Sequence, residues 1–166
     1  MHHGFPVGSE EGTMSETLSG LQERTFAAAT GATADSYPAE RRLSGDELAS
    51  YLDRRAFAAL GSTRPDGRPH VAMTSYVRRD ATFWLPTVAG SVRERNIRVQ
   101  PWVTLVVTEG DHERHIVVII EGPAEIVAIH DVPPDVGSVV GGDWVSSWIM
   151  LRPQRLLSYA AEGALE

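Results

Sequence analysis

The chain contains no cysteine and no lysine. The first absence excludes disulfides, a thiolate nucleophile and cysteine metal ligands. The second excludes Schiff-base chemistry and a lysine-bearing phosphate loop, and it leaves all fifteen basic residues as arginine. No apolar run approaches the roughly 20 residues that span a bilayer. The start, Met1-His2-His3-Gly4-Phe5-Pro6, lacks the cationic and apolar regions of a signal peptide, so a cytoplasmic location is expected. Gly-x-Ser-x-Gly, His-Glu-x-x-His and Gly-x-Gly-x-x-Gly are also missing, so no hydrolase elbow, zinc-protease helix or dinucleotide fingerprint is offered.

What is present is ordinary in amount and particular in arrangement. With 166 residues, 42% apolar and 22% charged, the chain suits one soluble domain with a substantial core. Arginine together with abundant Ala, Gly and Val suits a GC-rich bacterial genome. The net charge of −7 argues against binding a polyanion, which needs a basic face. A small anion is still allowed, because Arg93, Arg95 and Arg98 form a local cluster that the global charge does not describe.

Residues 1–42, rich in Gly, Ser, Thr, Ala and Glu, read as an N-terminal arm, flexible or docked on a partner, with a weak helical pattern from Leu18 to Ala29. Residues 43–166 read as the folded domain. Ser44 and Glu47 form a capping box that opens a helix to about Arg55. Phe57–Thr63 reads as a strand, Arg64-Pro-Asp-Gly67 as a hairpin turn with no chemistry of its own, and 69–77 as its partner. Thr82–Pro86 follows as the third strand of a meander. A helix from Ser91 must stop near Val99, because Pro101 pushes Gln100 out of helical geometry. Strands are expected at 102–108 and 115–129, the latter interrupted at Gly122-Pro123, then at 144–151, and a short tail helix at 153–161. The expected fold is mainly β: a small barrel of about six mostly antiparallel strands with helical additions.

The stretch 82–98 carries the clearest chemical signal. Ser91 and Glu94 form a second capping box, and the free N–H groups of that first helical turn make an anion site. Arg93 and Arg95 sit in the same turn, where a cation opposes the positive end of the helix dipole by roughly 0.3–1 kcal/mol. Two such cations suggest a bound anion.

The order of elements adds to this. Thr87-Val-Ala-Gly90-Ser91-Val92-Arg93 and Asn96, then Gln100-Pro101-Trp102-Val103, follow the Pro-Asp-Gly-Arg-Pro hairpin and precede the Glu121-Gly122-Pro-Ala-Glu125 strand. This arrangement resembles the pyridoxamine 5′-phosphate oxidase-like family of split-barrel flavin proteins, well over residues 44–129 and loosely from Trp144 to Tyr159. The resemblance implies a homodimer with a flavin nucleotide between subunits, FMN or the deazaflavin coenzyme F-420, and hydride transfer to a small organic acceptor. Carried over by position, Thr87, Ser91, Arg93 and Asn96 hold the phosphate, and Met73, Thr74 and Ser75 lie beside the ring. Val71 and Tyr76 stand where vitamin B6 oxidases have basic residues, Val92 replaces the first phosphate arginine, and the C-terminal Arg-x-His-Asp-Arg motif is missing, so vitamin B6 oxidation is not expected. The alternative is a non-catalytic split barrel that holds flavin or haem.

Three further features are weighed against plainer readings. His112-x-x-His115 has metal-ligand spacing but lies on a polar loop without a third ligand, and reads as a surface turn. Trp144 and Trp148 fall on one face of the expected strand, where buried core is the commoner fate and a ring contact or dimer closure the alternative. His70, next to the presumed cofactor strand, is either structural or a proton donor.

Overall fold

A computed structural model describes residues 16–140 and 142–165. The first fifteen residues of the N-terminal arm, with His2, His3 and Met14, lie outside the described residues. The elements are helices α1 (Leu18–Ala27), α2 (Gly31–Ser36) and α3 (Gly45–Arg54), strands β1 (Phe57–Thr63), β2 (Pro69–Ser75), β3 (Val77–Arg79) and β4 (Thr82–Thr87), helix α4 (Val92–Val99), strands β5 (Trp102–Glu109) and β6 (Ile116–Val127), helix α5 (Pro134–Gly137), and strands β7 (Ser147–Leu151) and β8 (Arg155–Ala160).

Hydrogen bonding joins the strands in the order β2-β1-β5-β6-β7-β4-β3, with β8 also pairing β6. Every paired neighbour is antiparallel. The two ends of that order, β2 and β3, are consecutive in the chain, so the sheet curls round on itself into a split barrel. Its inward residues, among them Leu60, Phe83, Leu85, Leu105, Ile116, Ile120 and Ile149, form the main core. A second cluster, Val77, Trp84, Val132, Val136, Trp148 and Met150, fills the space between the β4–β7 pair and the 128–146 connection.

The expected strand 69–77 is two strands. Tyr76 turns inward, stacks obliquely on Phe83 at 5.7 Å between ring centres, and donates its hydroxyl to the Leu52 carbonyl at 2.6 Å. This anchor breaks the alternation, since Tyr76 and Val77 are buried in succession. After it the chain pairs with β4 instead of β1, so the third strand of the expected meander belongs to the other end of the sheet.

The expected tail helix is also corrected: residues 155–160 are strand β8. Ile116–Glu121 of β6 would otherwise be an open edge, and β8 pairs with it along its whole length. Helix-compatible residues such as Leu156 and Leu157 yield to that pairing, since tertiary context overrides propensity. The last barrel strand is shorter than expected, beginning at Ser147, and Trp144 lies in the preceding loop, about half exposed. The two tryptophans therefore do not share a strand face; Trp148 is core.

Long strand β6 serves two partners on one side, β8 before Gly122 and β7 after Pro123. The crossing point lies where the sequence places its Gly-Pro pair. Proline supplies no N–H there, and its carbonyl accepts from Arg152 N–H at 3.0 Å.

Helix α3 follows the sequence closely. Ser44 and Glu47 form the reciprocal capping box, and Leu48, Tyr51 and Leu52 make its buried face. In the described part of the N-terminal segment, α1 packs on β8 of its own chain, with Leu21 fully buried. Buried Gln22 donates to the Leu43 carbonyl at 2.8 Å and accepts from the Ser158 hydroxyl, while Leu156 N–H donates to Thr25 Oγ1 at 3.0 Å. Gln22→Leu keeps the volume but leaves the buried Leu43 carbonyl without its donor and the Ser158 O–H without its acceptor, while Ser158 Oγ keeps the bond it accepts from Leu43 N–H at 3.0 Å. It is expected to lower stability by about 1–3 kcal/mol, read as a lower urea midpoint with an unchanged slope.

Candidate functional site

Helix α4 organises the site. It starts at Ser91 because Gly90, at φ 76°, turns the chain there and Ser91 Oγ accepts from Glu94 N–H at 3.3 Å. It ends at Val99 with Gln100 extended before Pro101, as expected. The second capping box is only half formed. Ser91 N–H is already bonded to the Val88 carbonyl at 3.0 Å, so the Glu94 carboxylate turns to Arg98 instead, at 2.9 Å. The N–H groups of Val92 and Arg93, which a helix cannot pair within itself, have no partner among the described residues.

Around this turn four of the expected site residues meet in one hydrogen-bonded group. Thr87, fully buried at the end of β4, shares a 3.0 Å hydrogen bond with Ser91 Oγ. The Arg93 guanidinium donates from Nε to Thr87 Oγ1 at 2.8 Å and from Nη1 to the Met73 carbonyl at 3.4 Å. Arg93 has no carboxylate partner among the described residues. Its partial burial lowers the guanidinium pKa from its ordinary value through lost solvation.

The other expected residues are placed differently. Ser75 shares the outward face of β2 with Val71 and Met73. Thr74 is buried on the opposite face, where its hydroxyl donates to the Ser75 carbonyl at 2.9 Å. Asn96 is buried and donates to Ser62 Oγ at 3.0 Å, which fastens α4 to β1 and holds it away from Arg93's partners. His70 lies on β2 opposite Ser62, half-buried, with its Nδ1 unpaired among the described residues. His115 stacks on Tyr159 at 5.1 Å, and its Nδ1 meets the His112 carbonyl.

Beside the Arg93 group, the outward sheet face is apolar and open. Phe57, Val71 and Met73 are 62%, 67% and 66% exposed, and Trp102 on the same side is 46% exposed. A second feature was not legible in the sequence. Arg64 and Arg68 of the β1–β2 hairpin converge with Arg95, Asn96 and Val92 on a cleft of about 350 Å³. The signal was present as two arginines flanking Pro-Asp-Gly, but their nearness to α4 depends on the fold.

These residues suit a flavin nucleotide. A guanidinium without a carboxylate partner among the described residues, the Ser91 hydroxyl and the unbonded N–H groups at the start of α4 match a phosphate, and the apolar strand face matches a large aromatic ring. The architecture is that of the split-barrel proteins. The profile of the pyridoxamine 5′-phosphate oxidase family matches residues 44–161, and the chain belongs to that family. A comparison with curated protein sequences finds no match. Solved structures similar to it include a conserved hypothetical protein from Mycobacterium tuberculosis, at 25% identity and a TM-score of 0.64 over 75% of this chain and 89% of that one. A FAD-binding protein from Mesorhizobium loti is 20% identical, with a TM-score of 0.61 over 74% of this chain and 98% of that one. A haem storage protein from Vibrio cholerae is 16% identical, with a TM-score of 0.55 over 70% and 95%. The last two likenesses speak for the fold alone. No helix among the described residues is long and apolar enough to cross a membrane.

Proposed function

We propose that the protein is a homodimeric oxidoreductase that uses a flavin nucleotide, FMN or coenzyme F-420, to reduce a small organic acceptor. The observation that carries this reading is Arg93, half-buried without a carboxylate among the described residues and bonded at once to Thr87 and to the Met73 backbone. A cation in that position is placed for an anion brought from outside the chain, and the Met73 contact ties the phosphate end to the strand beside the ring. When bound, the flavin supplies hydride transfer. The chain's own part would be to hold the phosphate with Arg93 and Ser91, with buried Thr87 fixing both of them, and to orient the ring against Val71, Met73 and Ser75. Vitamin B6 oxidation is not part of the reading, since Val71 is apolar and the Tyr76 hydroxyl is turned inward to Leu52.

The open apolar face of Phe57, Val71, Met73 and Trp102 supports the second subunit: a second copy there would close over the ring and exclude water. Phe57→Glu combined with Val71→Glu places two charges in that contact. The expected result is a halved mass in sedimentation analysis together with weaker flavin binding; an unchanged dimer would remove this face from the interface.

The direct test is the visible spectrum of the purified protein titrated with FMN, coenzyme F-420 and haem, followed by turnover with an electron donor. Binding of FMN or F-420 at micromolar concentration with cycles of reduction and reoxidation is expected. Retention of a flavin without turnover would assign a binding protein, and a haem spectrum alone would replace the flavin reading.

A further inference from the structure

The turn that carries the chain from β4 into α4 is not held by packing. Val88, Ala89 and Gly90 are all exposed, and nothing lies within 4 Å of a methyl group added at Gly90. A short surface turn ending in glycine would ordinarily sample several conformations. Yet the phosphate group depends on it. Gly90 sets the direction from which Ser91 enters the helix, and so where the Ser91 hydroxyl and the N–H groups of Val92 and Arg93 point.

What orders the turn comes from far along the chain. Ser146 Oγ accepts from Ala89 N–H, 57 positions earlier, at 2.8 Å, and Ser146 N–H donates to the Thr87 carbonyl at 3.1 Å. One residue thus grips both the end of β4 and the middle of the turn. Among the described residues, the Ala89 bond is the one hydrogen bond of 88–90 that reaches outside 87–91, since the bond from Ser91 N–H to the Val88 carbonyl closes the turn on itself. Ser146 is in turn presented by a closed loop. Val145 N–H donates to the Gly142 carbonyl at 3.3 Å, and the Trp144 indole lies against Gly142, 2.7 Å from where a methyl group there would stand.

The contact contributes little to the barrel itself. The ladder between β4 and β7 ends at the pair Thr87 and Ser147, so Ser146 lies just outside it. Its side chain is exposed and belongs to neither core cluster. An alanine at 146 would keep the N–H bond to Thr87 and lose only the hydroxyl that holds Ala89.

We propose that Ser146 is a positioning residue of the phosphate site. It fixes the 88–90 turn in the binding geometry before a ligand arrives, so that holding a phosphate at Ser91 and Arg93 requires little further ordering of the chain. The inference rests on the flavin reading above, and Ser146 acts through the turn, not by touching the ligand.

The test uses two pairs of ligands that differ in the phosphate-bearing part: FMN with riboflavin, and F-420 with its deazaflavin core lacking the phosphodiester tail. The full chain is titrated with all four, as wild type, Ser146→Ala and Ser146→Thr. Ser146→Ala should bind the phosphate-bearing member of the pair about three- to tenfold more weakly, the range set by one hydrogen bond. Its affinity for the other member should change less than about twofold. Ser146→Thr keeps a hydroxyl and should return to within about twofold of the wild type. Both variants should melt within about 2 °C of it, as expected for an exposed side chain. Unchanged affinity for the phosphate-bearing ligand in Ser146→Ala, an equal loss for both members of the pair, or a threonine variant as weak as the alanine one overturns the positioning role and leaves the flavin reading standing. If none of the four binds the wild type, the flavin reading fails and the positioning role with it.

Discussion

Arg93→Ala is expected to weaken flavin binding by about ten- to a hundredfold, the range set by losing charge-assisted hydrogen bonds of about 1.5–3 kcal/mol. The side chain is half-buried, and its neighbours Thr87 and Met73 already hold it in place, so binding a phosphate there requires little further ordering. Its removal also takes away two hydrogen bonds of the free protein, for a stability loss of about 1 kcal/mol. The fold itself should survive, because Thr87 keeps its bond to Ser91 and none of the core is disturbed. Titration and thermal melting of the same preparation separate the two effects. Arg93→Lys should fall between, since an ammonium restores the charge without the planar fork that reaches two partners. Wild-type affinity in Arg93→Ala would falsify the assignment of this group to the phosphate.

Gly122→Ala is expected to give the largest loss of stability, about 3 kcal/mol or more. A methyl group at Gly122 would stand 2.4 Å from the Arg152 carbonyl oxygen and 3.0 Å from both Gln154 N and Pro153 Cα. All of these are backbone or ring atoms of the β7–β8 turn, with no flexible end to give way. Relief would require the turn to lift off β6, breaking the bonds from Arg152 N–H to the Pro123 carbonyl and from Gln154 N–H to the Glu121 carbonyl. The loss corresponds to a fall in Tm of about 6–12 °C for a chain of this size. Gly31→Ala is the control: nothing lies within 4 Å of an added methyl there, and the change in a helical turn should be neutral or slightly stabilising. Equal melting of the two variants would show that the turn yields without cost.

The legible parts of this chain are those set by rules acting over a few residues. The Ser44 capping box, strand Phe57–Thr63, the Pro-Asp-Gly turn and the end of α4 before Pro101 depend on side-chain reach and backbone sterics within one turn. The parts read differently depend on partners far along the chain. Residues 155–160 are compatible with a helix, but they become β8 because an edge of β6, some forty residues earlier, has no other partner. Likewise Glu94 had the right spacing for a capping box, and only the Gly90 turn, which commits Ser91 N–H to Val88, denies it that bond. Trp144 and Trp148 have strand spacing, yet the strand begins after Trp144 and they part.

The stretch 82–98 shows the same division within the candidate site. Sequence alone determined that a small-residue turn leads from a strand to a helix capped by Ser91, with arginines where a helix repels cations, because capping and the helix dipole act within one turn. It also narrowed the chemistry open to the chain, since without cysteine or lysine neither a thiolate nucleophile nor a lysine Schiff base can form. Only the tertiary structure decided which of those side chains share a place. It brought Met73, twenty residues from Arg93, to the same guanidinium, turned Thr74 and Asn96 inward, and set Arg64 and Arg68 against Arg95. Such meetings depend on how the sheet curls and which strand edges pair, and no local spacing encodes them.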